Sequence, residues 1–275
     1  MDCLDALIMG IVQGLAEYLP ISSSGHLEIF REILGLDLGG AESLEFDVAL
    51  HVATVLSTIV VLWREFAPLC RSFFTLRRDA NTVYVWKILL SCIPVAIVGL
   101  CFKDVVESFF GRGLTLVGVC LLITALLLAF AHFFRNAPEG RVLAGNRGGH
   151  EITWWDAFII GCAQAVAVLP GLSRSGTTIA TGLILGDRRD KLAQFSFFMV
   201  IIPILGEALL GVKDILAGES AGVQAVGWLP LLIGFLASFA VGCCACKWMI
   251  ELVKRGKLVW FSIYCMIVGL ICIIY

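Results

Sequence analysis

Two short stretches of this 275-residue chain gather the residue types that handle a negatively charged group. In GIVQGLAEYLPISSSGH, Gln13 and Glu17 stand four apart and so share one helix face, and Ser22, Ser23, Ser24, Gly25 and His26 follow Pro20. In GCAQAVAVLPGLSRSGTT, Ser173, Arg174, Ser175, Gly176, Thr177 and Thr178 follow Pro170. A Ser-rich turn after a Pro is an N-cap signal, and the first N–H groups of the next helix then point into the turn without intrahelical acceptors. Two such helix starts facing one cavity, with Arg174 beside them, form an anion site suited to phosphate. Glu17, His26 and Ser23 add a candidate base and nucleophile. Ser22, Ser24 and Ser175 also read simply as caps and turn formers.

The elements that carry these residues belong to a membrane protein. Hydrophobic residues make up 59% of the chain and charged ones 15%, with a mean hydropathy of +0.94, far from the balance of a soluble domain. The fold class expected is an all-α polytopic membrane protein. Six apolar runs, at roughly 46–64, 83–102, 113–134, 192–212, 226–246 and 257–275, have about the length a hydrocarbon core requires. Residues 3–20 and 154–170 are shorter, and each leads through a Pro and a Ser/Gly cluster into a second short helix. They read as re-entrant helix-turn-helix hairpins that enter and leave the membrane on one side. The amino terminus opens with Met1, Asp2 and Asp5 rather than a basic region, so it is not read as a removable signal peptide.

The two hairpins repeat each other. Gly10, Gln13, Leu19, Pro20, Ser24 and Gly25 correspond to Gly161, Gln164, Leu169, Pro170, Ser175 and Gly176, an offset of about 151. The chain therefore reads as one membrane domain, 1–275, holding repeats at approximately 1–134 and 154–275. If each repeat is one hairpin and three crossings, the odd number of crossings inverts the second repeat in the membrane. With the loop from Arg64 to Lys87 taken as cytoplasmic, fifteen Lys and Arg residues fall inside and four outside (Arg31, Lys103, Arg112 and Lys213), Arg174 remaining in the membrane. The hairpins then dip in from opposite faces, their tips approach near the midplane, and the site opens outward. An unpaired carboxylate or guanidinium at that depth costs at least about 2.5 kcal/mol, so Glu17 and Arg174 are expected to do chemistry. The plainer alternative is that they pair only with each other and hold the tips together.

The sequences QGLAEYLPISSSGH and PGLSRSGTT resemble the two signature motifs of the undecaprenyl pyrophosphate phosphatase family, also called bacitracin resistance proteins, and the likeness extends over essentially the whole chain, including FDVALHVAT. The resemblance implies a multi-pass enzyme of the bacterial inner membrane, and the charge bias places its active site on the periplasmic or outer side. It would remove the terminal phosphate of undecaprenyl pyrophosphate and regenerate the carrier lipid for peptidoglycan synthesis. It also implies bacitracin resistance, the antibiotic competing by binding the same lipid, and a divalent cation, Mg2+ or Ca2+. Glu17 matches the family's second acidic position, and Ser23, His26, Ser173, Arg174 and Thr178 match its other functional positions. Gln13 stands at the first position and brings one carboxylate fewer than a Glu would.

From these matches, Glu17 with Gln13 is expected to hold the cation, while Ser173, Arg174, Ser175, Gly176 and Thr178 bind the phosphoryl group. Either Ser23 attacks phosphorus, activated by His26 or Glu17, or one of those bases activates water. Asp47 and His51 share a face and line the entrance or form an interfacial pair. Glu207 reads as a snorkelling side chain, and Glu28, Arg31 and Glu32 as a solvated vestibule. Gly10 with Gly14, and Gly182 with Gly186, have small-xxx-small packing spacing. Of the eleven cysteines, those in apolar spans suggest neither disulfides nor zinc, and Cys243, Cys244 and Cys246 read as small helix-packing residues. Dispersed basic residues give nucleic-acid binding no support. The oligomeric state, including a homo-oligomer, is left open. The competing function is a flippase or transporter of lipid phosphate or another anion, which would need the same anion site but no nucleophile and base.

Overall fold

The computed structural model of the chain describes residues 1–36, 40–75, 79–102, 105, 106, 108, 109, 113–135, 149–216 and 226–275. Arg77, Arg78, Lys103, Arg112, Arg141, Arg147 and the side chains of Arg135 and Lys213, on which the charge asymmetry partly draws, lie outside the described residues. The described chain forms helices α1 (Cys3–Ala16), α2 (Ser23–Leu34), α3 (Gly40–Val61), α4 (Trp63–Phe74), α5 (Ala80–Cys101), α6 (Leu114–Arg135), α7 (Trp154–Val166), α8 (Arg174–Leu185), α9 (Arg189–Met199), α10 (Ile201–Leu216), α11 (Trp228–Lys254) and α12 (Val259–Ile274). Among the described residues no strand occurs, and one isolated bridge joins His150 to Asp187.

Among the described residues, four or five spans are long and apolar enough to cross, against the six expected. Ala80–Cys101, Leu114–Phe134, Arg189–Gly211 and Trp228–Lys254 are long and apolar enough to cross, and a bent pair, Glu45–Val61 with Trp63–Phe74, makes a fifth if counted as one span. The run expected at 46–64 ends at Val61, where the chain turns by 91°. The last run, 257–275, forms a helix of 16 residues, shorter than a crossing of about 20 requires. Large apolar side chains such as Leu100, Leu126, Leu209, Leu236 and Ile271 face outward, which water would penalise and lipid would not. The chain is a multi-pass membrane protein.

The two hairpins are punctuated alike. α1 begins at a capping box in which the Asp5 N–H donates to Asp2 Oδ1 at 2.8 Å and the Asp2 N–H to Asp5 Oδ2 at 3.1 Å. α7 begins at the equivalent box between Thr153 and Asp156. At the return ends, α2 and α8 stop at Gly35 and Gly186, both left-handed, with φ of 62° and 99°. Gly186 is thus a C-cap rather than the packing residue expected from its spacing, whereas a Cβ on Gly182 would meet Leu192.

Each hairpin packs on the other repeat. α1 lies so close to α11 that a Cβ on Gly10 would sit 2.3 Å from the Gly234 carbonyl oxygen, and one on Gly14 2.7 Å from that of Ser238. α7 approaches α5 the same way, a Cβ on Gly161 falling 2.4 Å from the Ser91 carbonyl oxygen. α6 and α12 cross at Gly118 and Gly269, each meeting the other's carbonyl oxygen. Gly10 and Gly161, like Gly118 and Gly269, are 151 positions apart, so the repeated glycines make equivalent close crossings. Ser238 Oγ donates to the Leu50 carbonyl at 3.0 Å and Ser262 Oγ to that of Ala125 at 2.7 Å, spending buried hydroxyls on helix contacts.

The base of the second hairpin is clasped by His150. Its Nδ1 lies 3.1 Å from the Glu151 carbonyl and its Nε2 3.2 Å from the Leu185 carbonyl. Asp187 and Asp156 stand 3.4 and 3.7 Å from Nδ1. The three ligand atoms of His150, Asp156 and Asp187 lie within 4.8 Å of one another, yet with both ring nitrogens facing carbonyls an imidazolium itself occupies the cation's place. The hydrogen bond to the Glu151 carbonyl, then the Leu185 carbonyl and the two carboxylates, raises the His150 pKa above its ordinary 6.5, against desolvation. A raised histidine stabilises the fold fully below its unfolded pKa and loses that contribution as pH rises through the folded value. We expect the melting temperature of the detergent-solubilised protein to exceed that of His150→Gln at pH 6, and the gap to close at pH 8.5.

Candidate active site

The two tips meet through glycine and a serine hydroxyl. A Cβ on Gly25 would lie 2.9 Å from Gly171 Cα, and one on Gly176 3.2 Å from Pro20 Cβ. Ser175 Oγ donates to the Leu19 carbonyl at 3.1 Å. Both N-caps form as the Ser-rich turns require: Ser22 Oγ accepts from the Gly25 N–H at 3.2 Å and Ser173 Oγ from the Gly176 N–H at 3.1 Å. Ser22 is the only non-glycine residue at positive φ among the described residues, at 71°. Such a conformation costs of order 1–3 kcal/mol and collects at functional sites. Gly171 has φ of 89°, and a Cβ there would sit 2.8 Å from the Val117 backbone. Gly171→Ala should therefore shift the second tip against α6 and lower turnover by at least about 10²-fold, since 1 Å of misplacement can cost that much. Turnover and thermal melting of the purified variant check it.

Glu17 sits where the tips converge, buried at 6% exposure. Its Oε1 pairs with Arg174 Nη2 from the opposite tip. Its Oε2 accepts from Gln13 Nε2 at 2.9 Å and from Ser23 Oγ at 2.8 Å. His51 Nε2 lies 3.6 Å from the same oxygen. A small cavity borders the pair, lined by Tyr18, Thr54, Thr58 and Phe197. The Tyr18 hydroxyl donates to the Thr54 carbonyl at 2.6 Å and meets the Ser57 and Thr58 hydroxyls.

The residues expected to bind phosphoryl divide in two. Arg174 presents its guanidinium to Glu17 and the cavity. Ser173, Ser175, Gly176 and Thr178 build the turn that aims it. The Ser173 N–H donates to Thr124 Oγ1 at 3.0 Å, and Thr178 Oγ1 donates back to the Arg174 carbonyl at 2.9 Å and contacts Ser196 Oγ at 2.7 Å. His26 is turned away from Ser23. Its Nδ1 meets the Ser22 carbonyl at 2.9 Å and its Nε2 the Tyr264 hydroxyl at 2.8 Å, with the two rings stacked. Of the two bases considered for Ser23, Glu17 is the one in contact.

Asp47 pairs with Arg31, which removes Arg31 from a freely solvated vestibule, and Glu207 is exposed. His51, read with Asp47 as an entrance residue or an interfacial pair, joins Glu17. Tyr18, Thr124, Ser196 and Tyr264 went unread. A signal for part of this was present: Asp47, His51, Thr54 and Thr58 form one polar stripe at helical spacing on an otherwise apolar helix. Nothing local marks Tyr264, which reaches His26 from across the chain.

A multi-pass helical protein in which two broken hairpins bring a carboxylate, a serine and an arginine together defines a membrane-embedded, anion-handling class. Residues 6–271 match the family described as bacitracin resistance protein BacA. The chain is similar to the undecaprenyl-diphosphatase of Parabacteroides distasonis, 54% identical over 273 residues covering 99% of this chain and 98% of the relative. It is similar to that of Bacteroides fragilis, at 53% over 274 residues (100% and 98%), and to that of Oceanobacillus iheyensis, at 35% over 275 residues (98% and 94%). The chain belongs to the bacitracin resistance protein BacA family.

Proposed function

We propose that this chain hydrolyses undecaprenyl diphosphate to undecaprenyl phosphate and inorganic phosphate, as an undecaprenyl-diphosphatase that recycles the carrier lipid for peptidoglycan synthesis and confers bacitracin resistance. The relatives named above, covering nearly the full chain at up to 54% identity, support the activity. The observation that carries the chemistry is the Glu17 carboxylate, which accepts the Ser23 hydroxyl on one oxygen and faces Arg174 on the other. A transporter has no use for a hydroxyl aligned on a base.

In this reading the terminal phosphate draws Arg174 from Glu17, because a dianionic phosphoryl group is the stronger partner for a guanidinium. Ser23 Oγ attacks the terminal phosphorus and passes its proton to Glu17 Oε2. The bond from that phosphorus to the bridging oxygen breaks, and undecaprenyl phosphate leaves. Glu17 gives that proton to the departing lipid phosphate, and the freed carboxylate then takes a proton from the water that attacks the phosphoserine, handing it to Ser23 Oγ as inorganic phosphate leaves. Arg174 and the orphan N–H groups at the starts of α2 and α8 neutralise the oxygens as charge shifts.

A divalent cation, Mg2+ or Ca2+, fits the residues present: Glu17 offers a hard carboxylate, and Gln13 has a fully buried Oε1 with no hydrogen-bond partner. Bound there, it would neutralise charge on the two phosphates. We read the topology as two re-entrant hairpins with six crossings in inverted repeats of one domain, the 16-residue α12 crossing where the bilayer thins to meet it. Membership in this family supports the bacterial inner membrane, and the charge asymmetry supports a site open to the outer face. Bacitracin acts on the activity indirectly, by binding the lipid substrate.

Purified protein in detergent should release phosphate from undecaprenyl diphosphate with magnesium or calcium, and EDTA should stop release until the cation is restored. A folded protein that moves the lipid between leaflets but releases no phosphate would replace this reading with transport.

A further inference from the structure

His51 sits against Glu17 in an orientation that calls for a cation. Its Nδ1 lies 2.7 Å from the Asp47 carbonyl, so Nδ1 carries a proton and in the neutral ring the metal-binding lone pair is on Nε2. That lone pair is 3.6 Å from Glu17 Oε2, an oxygen that already accepts from Gln13 and Ser23. Two electron-rich atoms therefore face each other across a gap that two ligands of one ion can share. Gln13, on the same side of Glu17, holds a buried Oε1 with no partner, which a turn of the amide would present to that ion.

We infer that His51 Nε2 is a ligand of the divalent cation, alongside Glu17 and Gln13. The inference rests on the reading that Glu17 holds the cation and adds the donor that sets the ion's identity. A carboxylate and amide set takes hard ions such as Ca2+ and Mg2+, while an imidazole nitrogen shifts preference toward Mn2+ and its transition-metal neighbours. With Gln13 supplying no charge, the nitrogen also offsets the carboxylate this chain lacks there. The fixed Nδ1 contact is the outer support that orients a ligating histidine.

The test is Mn2+ and Ca2+ binding to the full-length protein in detergent, by calorimetry and by electron spin echo detection of nitrogen coupled to Mn2+. Wild type, Glu17→Gln, His51→Gln and His26→Gln are compared, with thermal melting as the check on folding. We expect His51→Gln to weaken Mn2+ by about tenfold or more and Ca2+ by about twofold or less, and to abolish the nitrogen coupling, which His26→Gln retains. If Glu17→Gln loses the cation while His51→Gln keeps both Mn2+ affinity and the nitrogen signal, His51 is no ligand and the Glu17 reading stands. If Glu17→Gln binds as wild type does, the Glu17 reading fails and this inference with it. Unchanged Mn2+ binding without nitrogen coupling in wild type would leave His51 and Glu17 as an ion pair only. A His51→Gln protein that does not fold is replaced by His51→Asn, and the spin echo of wild type alone still decides whether a nitrogen binds the metal.

Discussion

Arg174→Ala should lower phosphate release by about 10⁴-fold, within the range found when an arginine that neutralises a transferring phosphoryl group is removed. The difficulty in reading such a loss is that Arg174 also pairs with Glu17 across the two tips, and breaking a buried pair by removing one partner costs about 3–5 kcal/mol of stability. The double variant Glu17→Gln with Arg174→Gln separates the two roles. It removes both charges, leaves neutral groups that can hydrogen-bond, and should melt closer to wild type than Arg174→Ala does. Its turnover should remain at background. A double variant that recovered turnover with stability would mean that the pair only holds the tips together. Arg174→Lys should also be poor, because an ammonium keeps the charge but not the planar fork that can hold Glu17 and then a phosphate.

The second large effect is at Ser23. Its hydroxyl lies 2.8 Å from Glu17 Oε2, and removing it should cost at least about 10⁴-fold in turnover, since loss of a nucleophile leaves only positioning and electrostatic stabilisation. Rapid quenching of the wild type during turnover should trap phosphate on Ser23, detectable by mass spectrometry. Ser23→Ala that retains wild-type turnover, with no trapped phosphoserine, would give the attack to water activated by Glu17. His26→Gln should be milder than either, because His26 bonds to the Ser22 carbonyl and Tyr264 rather than to Ser23.

Much of this site could be read before the structure, because the membrane makes polar residues conspicuous. Glu17 and Arg174 stood out through the cost of burying charge in lipid, and they are in contact. The Ser22 cap was expected from Pro and Ser spacing, while in the second tip the cap is Ser173 rather than Ser175. The carbonyls that the Ser175 and Thr178 hydroxyls meet were not legible, because spacing along the chain does not show which backbone a hydroxyl reaches. His51 was read with Asp47 as an entrance residue or an interfacial pair, because distance along a helix says nothing about which neighbour that helix meets. Hydropathy also hid the 91° turn after Val61 and the break near Val200, since neither interrupts the apolar run. Conversely, Gly10 and Gly14 announced a close crossing but not its partner, which lies in the opposite repeat.

That exchange of partners has a consequence for biosynthesis. The first hairpin is made well before the surface it packs on, around Gly234 and Ser238, and before the ring that holds His26, Tyr264. The nascent protein must therefore hold Glu17 without its partner while the 157 residues up to and including Arg174 are added. The site is assembled only once both repeats have been made.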